Sequence, residues 1–184
     1  MGTKRAAEKP KFSPEGVKRH KKNVRDEIEK QRKANKHEHF HGISDEELEK
    51  KLSSIESPFI NWTSFGSAPP GGTVSMSAGV YNPDPVTQSF LFLHGFSGSG
   101  NAVPATDIGS YLLNVDTRFN RLTQPPWIGL SLAPSTSSSA LNFALKIPAT
   151  IDKGPYIWNF ALLQLAIFGV GKVFDRASFV FNVT

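Results

Sequence analysis

The sequence predicts an all-β protein, an antiparallel β-sandwich carrying a basic, partly helical N-terminal extension. Three observations predict it. From Pro58 onward, short apolar runs alternate with Pro/Gly turns, and no helical periodicity appears. Two of those runs alternate apolar and polar residues in a clean period of two. Charge is also segregated: residues 1–40 hold 13 Lys/Arg against 6 Asp/Glu, whereas residues 58–184 hold only 11 charged residues of either sign. The expected boundaries are 1–42 for a basic arm, 43–57 for a short amphipathic helix and 58–184 for the sandwich.

Residues 1–14 are charged, carry Pro10 and Pro14, and offer almost nothing apolar, so they are expected to be disordered. Glu15 to Lys36 favours helix. Its aliphatic residues Val17, Val24 and Ile28 fall on one narrow stripe, too little to hold a helix alone. Asp26–Lys30 and Glu29–Lys33 pairs at four-residue spacing would help slightly. Two readings stay open for this segment. One is a solvated, fraying helix. The other is an arm whose Lys18, Arg19, Lys21, Lys22 and Arg25 dock on an acidic partner or on nucleic acid. The interspersed acids argue against an arm dedicated to nucleic acid.

His37-Glu38-His39-Phe40-His41 alternates histidines, a common metal ligand, but nothing nearby supplies a rigid second layer of support. A linker with adventitious metal affinity is expected, and no cofactor. Ser44 with Glu47 three residues on makes a capping box, and Leu48, Leu52 and Ile55 line one face of the helix that follows. That face needs a groove, on this domain or on a neighbour. Pro58 ends it.

The strands follow in order. Phe59–Thr63 opens the β part, and Ala68-Pro69-Pro70-Gly71-Gly72 is a turn. Thr73–Tyr81 points Val74, Met76, Ala78 and Val80 one way and Thr73, Ser75, Ser77 and Gly79 the other, as a half-buried strand does. Asn82-Pro83-Asp84-Pro85 is a rigid turn. Phe90–Leu93 is apolar on both faces and is placed centrally. Short strands are expected at Tyr111–Val115 and Ile128–Leu132. Ala140–Ile147 faces Leu141, Phe143, Leu145 and Ile147 inward and Asn142, Ala144 and Lys146 outward. Tyr156–Phe168 is a strand covered on both sides. Ser178–Val183 puts Phe179, Phe181 and Val183 on one face. The apolar stretch from Ile157 to Val170 is too short for a membrane span, which needs about 20 residues.

The PPGGTVSMSAGVYNPDP segment, the Gly154-Pro155-Tyr156 opening and the closing FDRASFVFNV resemble Ig-like domains of the bacterial, adhesion-related kind over residues 59–184. The resemblance implies an Ig-like sandwich. There is no Cys…Trp…Cys signature, and the stretch from Gly95 to Trp127 is longer than a plain Ig domain requires, which leaves a jelly roll open.

Catalytic motifs fail on inspection. Phe90-Leu91-Phe92-Leu93-His94-Gly95-Phe96 looks like the segment that builds the oxyanion loop of α/β-hydrolases. Those enzymes need a Gly-x-Ser-x-Gly nucleophile and a later histidine, and His94 is the last histidine here. It reads as an ordinary strand-end residue. Gly95–Ala102 has the glycine spacing of a P-loop, but Asn101 and Ala102 stand where Lys and Ser/Thr are required. The single aspartates Asp84, Asp107, Asp116, Asp152 and Asp175 read as turn residues, with Asp175–Arg176 a local pair; calcium held where sandwich loops bring several of them together is the alternative. With no cysteine, disulfides, cysteine-based zinc sites and a thiol nucleophile are excluded.

The expectation is a non-enzymatic structural or interaction protein, a sandwich subunit of a larger assembly that pairs with copies of itself or other subunits. Nucleic acid is a candidate partner for the arm, and a membrane is not. The first residues lack the apolar core of a signal peptide, so a cytosolic origin or an assembly built in the cytosol is expected. A virion or similar particle shell fits by analogy of architecture alone. The alternative is an adhesin-type binding module using loops 95–127, with Arg118, Phe119, Arg121 and Trp127 as contact residues. An α/β-hydrolase-like enzyme is the remote third reading.

Overall fold

The computed structural model describes residues 14–36, 39–53, 57–97, 120–121, 127–166 and 169–184. Helix α1 spans Pro14–Ala34 and helix α2 Asp45–Ser53. Ten strands follow in chain order among the described residues: β1 His39–Gly42, β2 Phe59–Phe65, β3 Thr73–Asn82, β4 Gln88–Ser97, β5 Asn120–Arg121, β6 Trp127–Leu132, β7 Thr136–Ser137, β8 Leu141–Lys146, β9 Gly154–Ala166 and β10 Gly169–Val183. They form two antiparallel sheets. One runs β1-β2-β3-β8-β5, with β7 also on β3; the other runs β10-β9-β4-β6. The expected all-β sandwich is what the chain forms.

The patterned strands behave as their sequences dictate. On β8, Leu141, Phe143 and Leu145 are buried while Asn142 and Lys146 are exposed. On β9, Tyr156, Trp158, Phe160 and Leu162 face the other sheet, and Ala161 and Leu163 are buried on the outer side. The inter-sheet core is aromatic. Phe92 stacks on Phe143 and Phe160 at ring distances of 5.7 and 5.6 Å, and Trp158 meets Phe160 and Phe181 at 6.1 and 5.9 Å. Offset and edge-on geometries of this kind add to the area that large rings bury.

Polar groups tie the layers. The buried Asn82 side chain donates to the carbonyls of Val86, Leu132 and Ala133 at 3.0, 3.1 and 3.1 Å, and accepts from the Asp84 amide. It thereby fixes the Asn82–Pro85 turn and joins the end of β3 to the end of β6. Ser138 links to Val80 through both its backbone amide and its hydroxyl.

Several expectations need correction. The His39–His41 segment is no linker: it forms β1 and pairs with β2, His41 opposite Thr63. The last strand begins at Gly169, not Ser178, because β9 and β10 form one long hairpin whose irregular register between Val170 and Asp175 absorbs its non-repeating sequence. Asp175 is inside that strand rather than a turn residue. His94 sits within β4, buried between the sheets, not at a strand end. The strand expected at Tyr111–Val115 lies outside the described residues.

Candidate interaction surface: a docked basic helix

Strand β3 is half-buried only over its first part. Thr73 and Ser75 are exposed, but Gly79, Val80, Tyr81 and Asn82 are all buried. What covers the outer face there is α1 together with α2. Val24 of α1 is fully buried against Leu48 of α2, Phe59 of β2 and Tyr81 of β3, with Ile28 and Ile43 packed beside them. Val24 and Ile28 of the stripe, and Leu48 of the apolar face of α2, therefore pack within this chain. The helix is not solvated all round. Its charge arrangement suits a stable helix: Glu15 in the first turn and Arg32 and Lys33 in the last complement the macrodipole.

Two glycines accommodate close contacts in this layer, one with α1 and one within the sheet. A Cβ on Gly42 would sit 3.0 Å from Ile28 Cγ2, so a side chain there would press on α1 where β1 passes it. A Cβ on Gly79 would overlap the Trp62 indole at 2.0 Å, because that ring lies flat across β3 and stacks on Phe40.

His20 completes the inner face of α1. It is 2% exposed, and its Nδ1 lies 2.8 Å from the Tyr81 hydroxyl. Burial first, and the Arg19 guanidinium second, push its pKa below the ordinary histidine value. Burial pushes the Tyr81 phenol up. Ion pairs flank this contact: Lys21 with Glu49, and Arg25 with Asp45 at 2.9 Å, both reaching from α1 to α2.

The remaining cations point outward. Lys18, Lys22 and Arg32, with Lys36 in the turn beyond, recur at helical spacing on one exposed side, and none of them makes an ion pair among the described residues. Lys18 to Arg32 covers about 21 Å at 1.5 Å per residue. Arg19 is exposed beside them. Lys30 and Lys33 pair locally, with Glu27 at 3.8 Å and Glu29 at 3.4 Å, so the pair expected between Asp26 and Lys30 is replaced by Glu27–Lys30.

Of the residues singled out from sequence, Lys18, Arg19 and Lys22 are exposed, while Lys21 and Arg25 pair with acids of α2. Leu48 is buried in its own domain. Leu52 lies in the last turn of α2; Ile55, Arg118 and Phe119 lie outside the described residues. Arg121 is on β5 and Trp127 on β6, so they belong to different sheets. Trp127 is 43% exposed. Sequence reasoning missed His20, Tyr81, Arg32 and Lys36. The 18–22–32–36 spacing was the available signal for the last two.

Helix α2 is held from both sides. Its cap forms as expected, the Glu47 amide donating to Ser44 Oγ at 3.1 Å. Lys51 Nζ donates to Asp175 Oδ2 at 2.7 Å, and the same oxygen accepts the Ile60 amide at 2.9 Å. One carboxylate so joins α2 to both sheets. A cavity of about 320 Å³ opens there, lined by Lys50, Lys51, Phe59 and Phe174 among others. His94, the residue of the hydrolase-like segment, accepts the Trp158 indole N–H at 3.0 Å and lies over Phe143. Its Nδ1 is engaged inside the aromatic core. Among the described residues, no helix is long and apolar enough to cross a membrane.

No family model and no curated protein sequence matches this chain. Among solved structures it is similar to Bacteroides uniformis beta-glucuronidase 2, at 11% identity over 69% of this chain and 14% of that chain, with a TM-score of 0.45. It is similar to a chain of a type I cohesin–dockerin complex from Clostridium thermocellum, at 13% identity over 70% of this chain and 100% of that one, TM-score 0.37. It is also similar to an ASH/PapD-like domain of human CEP192, at 12% identity over 100% and 94%, TM-score 0.31. The chain spans about a seventh of the glucuronidase. At these scores the likenesses carry no argument about function.

Proposed function

We propose that the chain is a non-enzymatic interaction module, a β-sandwich subunit of a larger assembly, whose docked helix α1 contacts the phosphate backbone of a nucleic acid. The observation that carries the reading is the division of labour on α1. Its inner face packs on the sandwich and two of its cations pair with α2, while Lys18, Lys22, Arg32 and Lys36 are exposed and make no ion pair among the described residues. A helix already held in place loses little further freedom on binding, which favours association. The row is made of cations alone, so the contact is read as one to phosphates, with an affinity that falls as salt rises. A second copy is a poorer partner for this face, because it presents the same cations and a sandwich with few acids. A shell or particle built in the cytosol accommodates such a subunit. The exposed Trp127 is the one described feature that favours a ligand-binding module at the β6 end instead.

The test is fluorescence anisotropy with a 20-nucleotide RNA across a salt series. The full chain is compared with the triple variant Lys18→Glu, Lys22→Glu, Arg32→Glu, and with a chain lacking residues 1–13. The expected result is weakened binding and a shallower salt dependence for the triple variant, since each phosphate contact contributes to the slope. Equal binding by the triple variant and the full chain would overturn the reading. Light scattering on the same proteins reports whether assembly depends on this face.

A further inference from the structure

We propose that α1 is an acid-released arm: protonation of His20 unseats the helix from the outer face of β2 and β3. The geometry is that of a latch with one ionisable pin. The imidazole is 2% exposed and hydrogen-bonded to Tyr81, one helical turn before Val24, which with Ile28 packs against Phe59 and Tyr81. The surroundings disfavour a charge on it. From α1 itself the neighbouring cation is Arg19. From β3 comes Tyr81, whose phenol burial keeps neutral. α2 carries the acids Asp45, Glu46, Glu47 and Glu49; Arg25 engages Asp45, Lys21 engages Glu49, and Lys51 lies 4.0 Å from Glu47. β2 and β7 contribute no ionisable residue.

The sign follows from linkage. The docked ring has a pKa below the ordinary 6.5, so the released helix binds the proton more tightly. The docking stability that His20 contributes is complete above 6.5 and is lost as the pH falls below it. The opposing grip is small: a few aliphatic side chains, two rings and two ion pairs with exposed partners. Release would bare Phe59 and Tyr81 on the sheet and free Lys21 and Arg25 to join the outward cations. That last consequence rests on the nucleic-acid reading; the release itself does not.

Amide hydrogen exchange on the full chain, without any polyanion, tests the release between pH 7.5 and 5. After correction for the intrinsic rate, peptides of α1 are expected to lose protection toward about tenfold per pH unit, the limit for one titrating group. Peptides of β8 and β9 are expected to stay protected. The His20 ring resonance should titrate with the same midpoint. His20→Gln, or His20→Phe if the first variant fails to dock at pH 7.5, should hold α1 equally well at both pH values. An α1 as protected at pH 5 as at 7.5, a ring midpoint apart from the exchange midpoint, or the same acid loss in a docked variant would each overturn the proposal. RNA binding, measured separately at pH 7.5, tells this failure from failure of the functional reading.

Discussion

The space between the two sheets and the helical layer outside β2 and β3 both bury apolar side chains, but they do so by opposite means. Between the sheets, large rings interdigitate with few polar atoms, and the histidine there is pinned by an indole. In the helical layer a handful of aliphatic residues is framed by ion pairs, and the histidine there is pinned by a phenol next to a cation. The first is a core in which shape decides, and the second is a seat in which charge and pH have a vote. The same strand, β3, serves both: Val74, Met76 and Val80 look inward, while Tyr81 looks out to α1.

That contrast can be broken at graded strength. Trp158→Ala should have the largest effect, about 3–5 kcal/mol of global stability as for other buried ring truncations. Chemical denaturation followed by tryptophan fluorescence would read it as a lower midpoint; an unchanged midpoint would mean the inter-sheet rings do not hold the fold. Asp175→Ala should come next, about 1–3 kcal/mol, because it strands the Ile60 amide and removes the carboxylate 2.7 Å from Lys51 at once. Its signature is coupled, with exchange rising in α2 and at the β2–β10 edge together. Val24→Ala should lose about 1.5 kcal/mol, two methyl groups' worth of burial, and only locally. Faster exchange in α1 with an untouched sandwich midpoint is expected; a shift of the whole transition would show that the layer is part of one cooperative unit. Arg25→Ala is the smallest, at most about 1 kcal/mol, since both partners of its ion pair are more than half exposed. Raising the salt concentration should reduce even that difference.

The inter-sheet core was legible in the sequence because period-two alternation is a direct record of two unlike faces. Thr73–Tyr81 and Ala140–Ile147 supplied their inward residues without error. The Ser44–Glu47 cap was equally plain, because it is a local bond between neighbours in the chain. The seat of α1 was not legible. Val17, Val24 and Ile28 mark a stripe too narrow to declare a docking face, and His20 reads as one more polar residue in a basic run. What makes it part of a core is Tyr81, 61 positions away. Tyr81 in turn ends a strand whose pattern predicts an exposed outer face. Both residues look misplaced alone and make sense only as a pair. β1 was missed for a related reason: His39-Phe40-His41-Gly42 has too few apolar residues to announce a strand, and its edge position needs only one buried side.

The strand order has a kinetic consequence. Two hairpins, β2–β3 and β9–β10, join strands close in the chain and can form as soon as those strands exist. Neither can close the sandwich. β4 must wait for β9, with Phe90 opposite Gln164, and β3 must wait for β8, with Thr73 opposite Lys146. A chain that joins its halves over such separations searches for a long time, on the order of milliseconds to seconds for sheets built from distant pairings. During that search the ring-rich faces of β4 and β9 are bare, and the newly made chain is most in need of a chaperone before its two sheets meet.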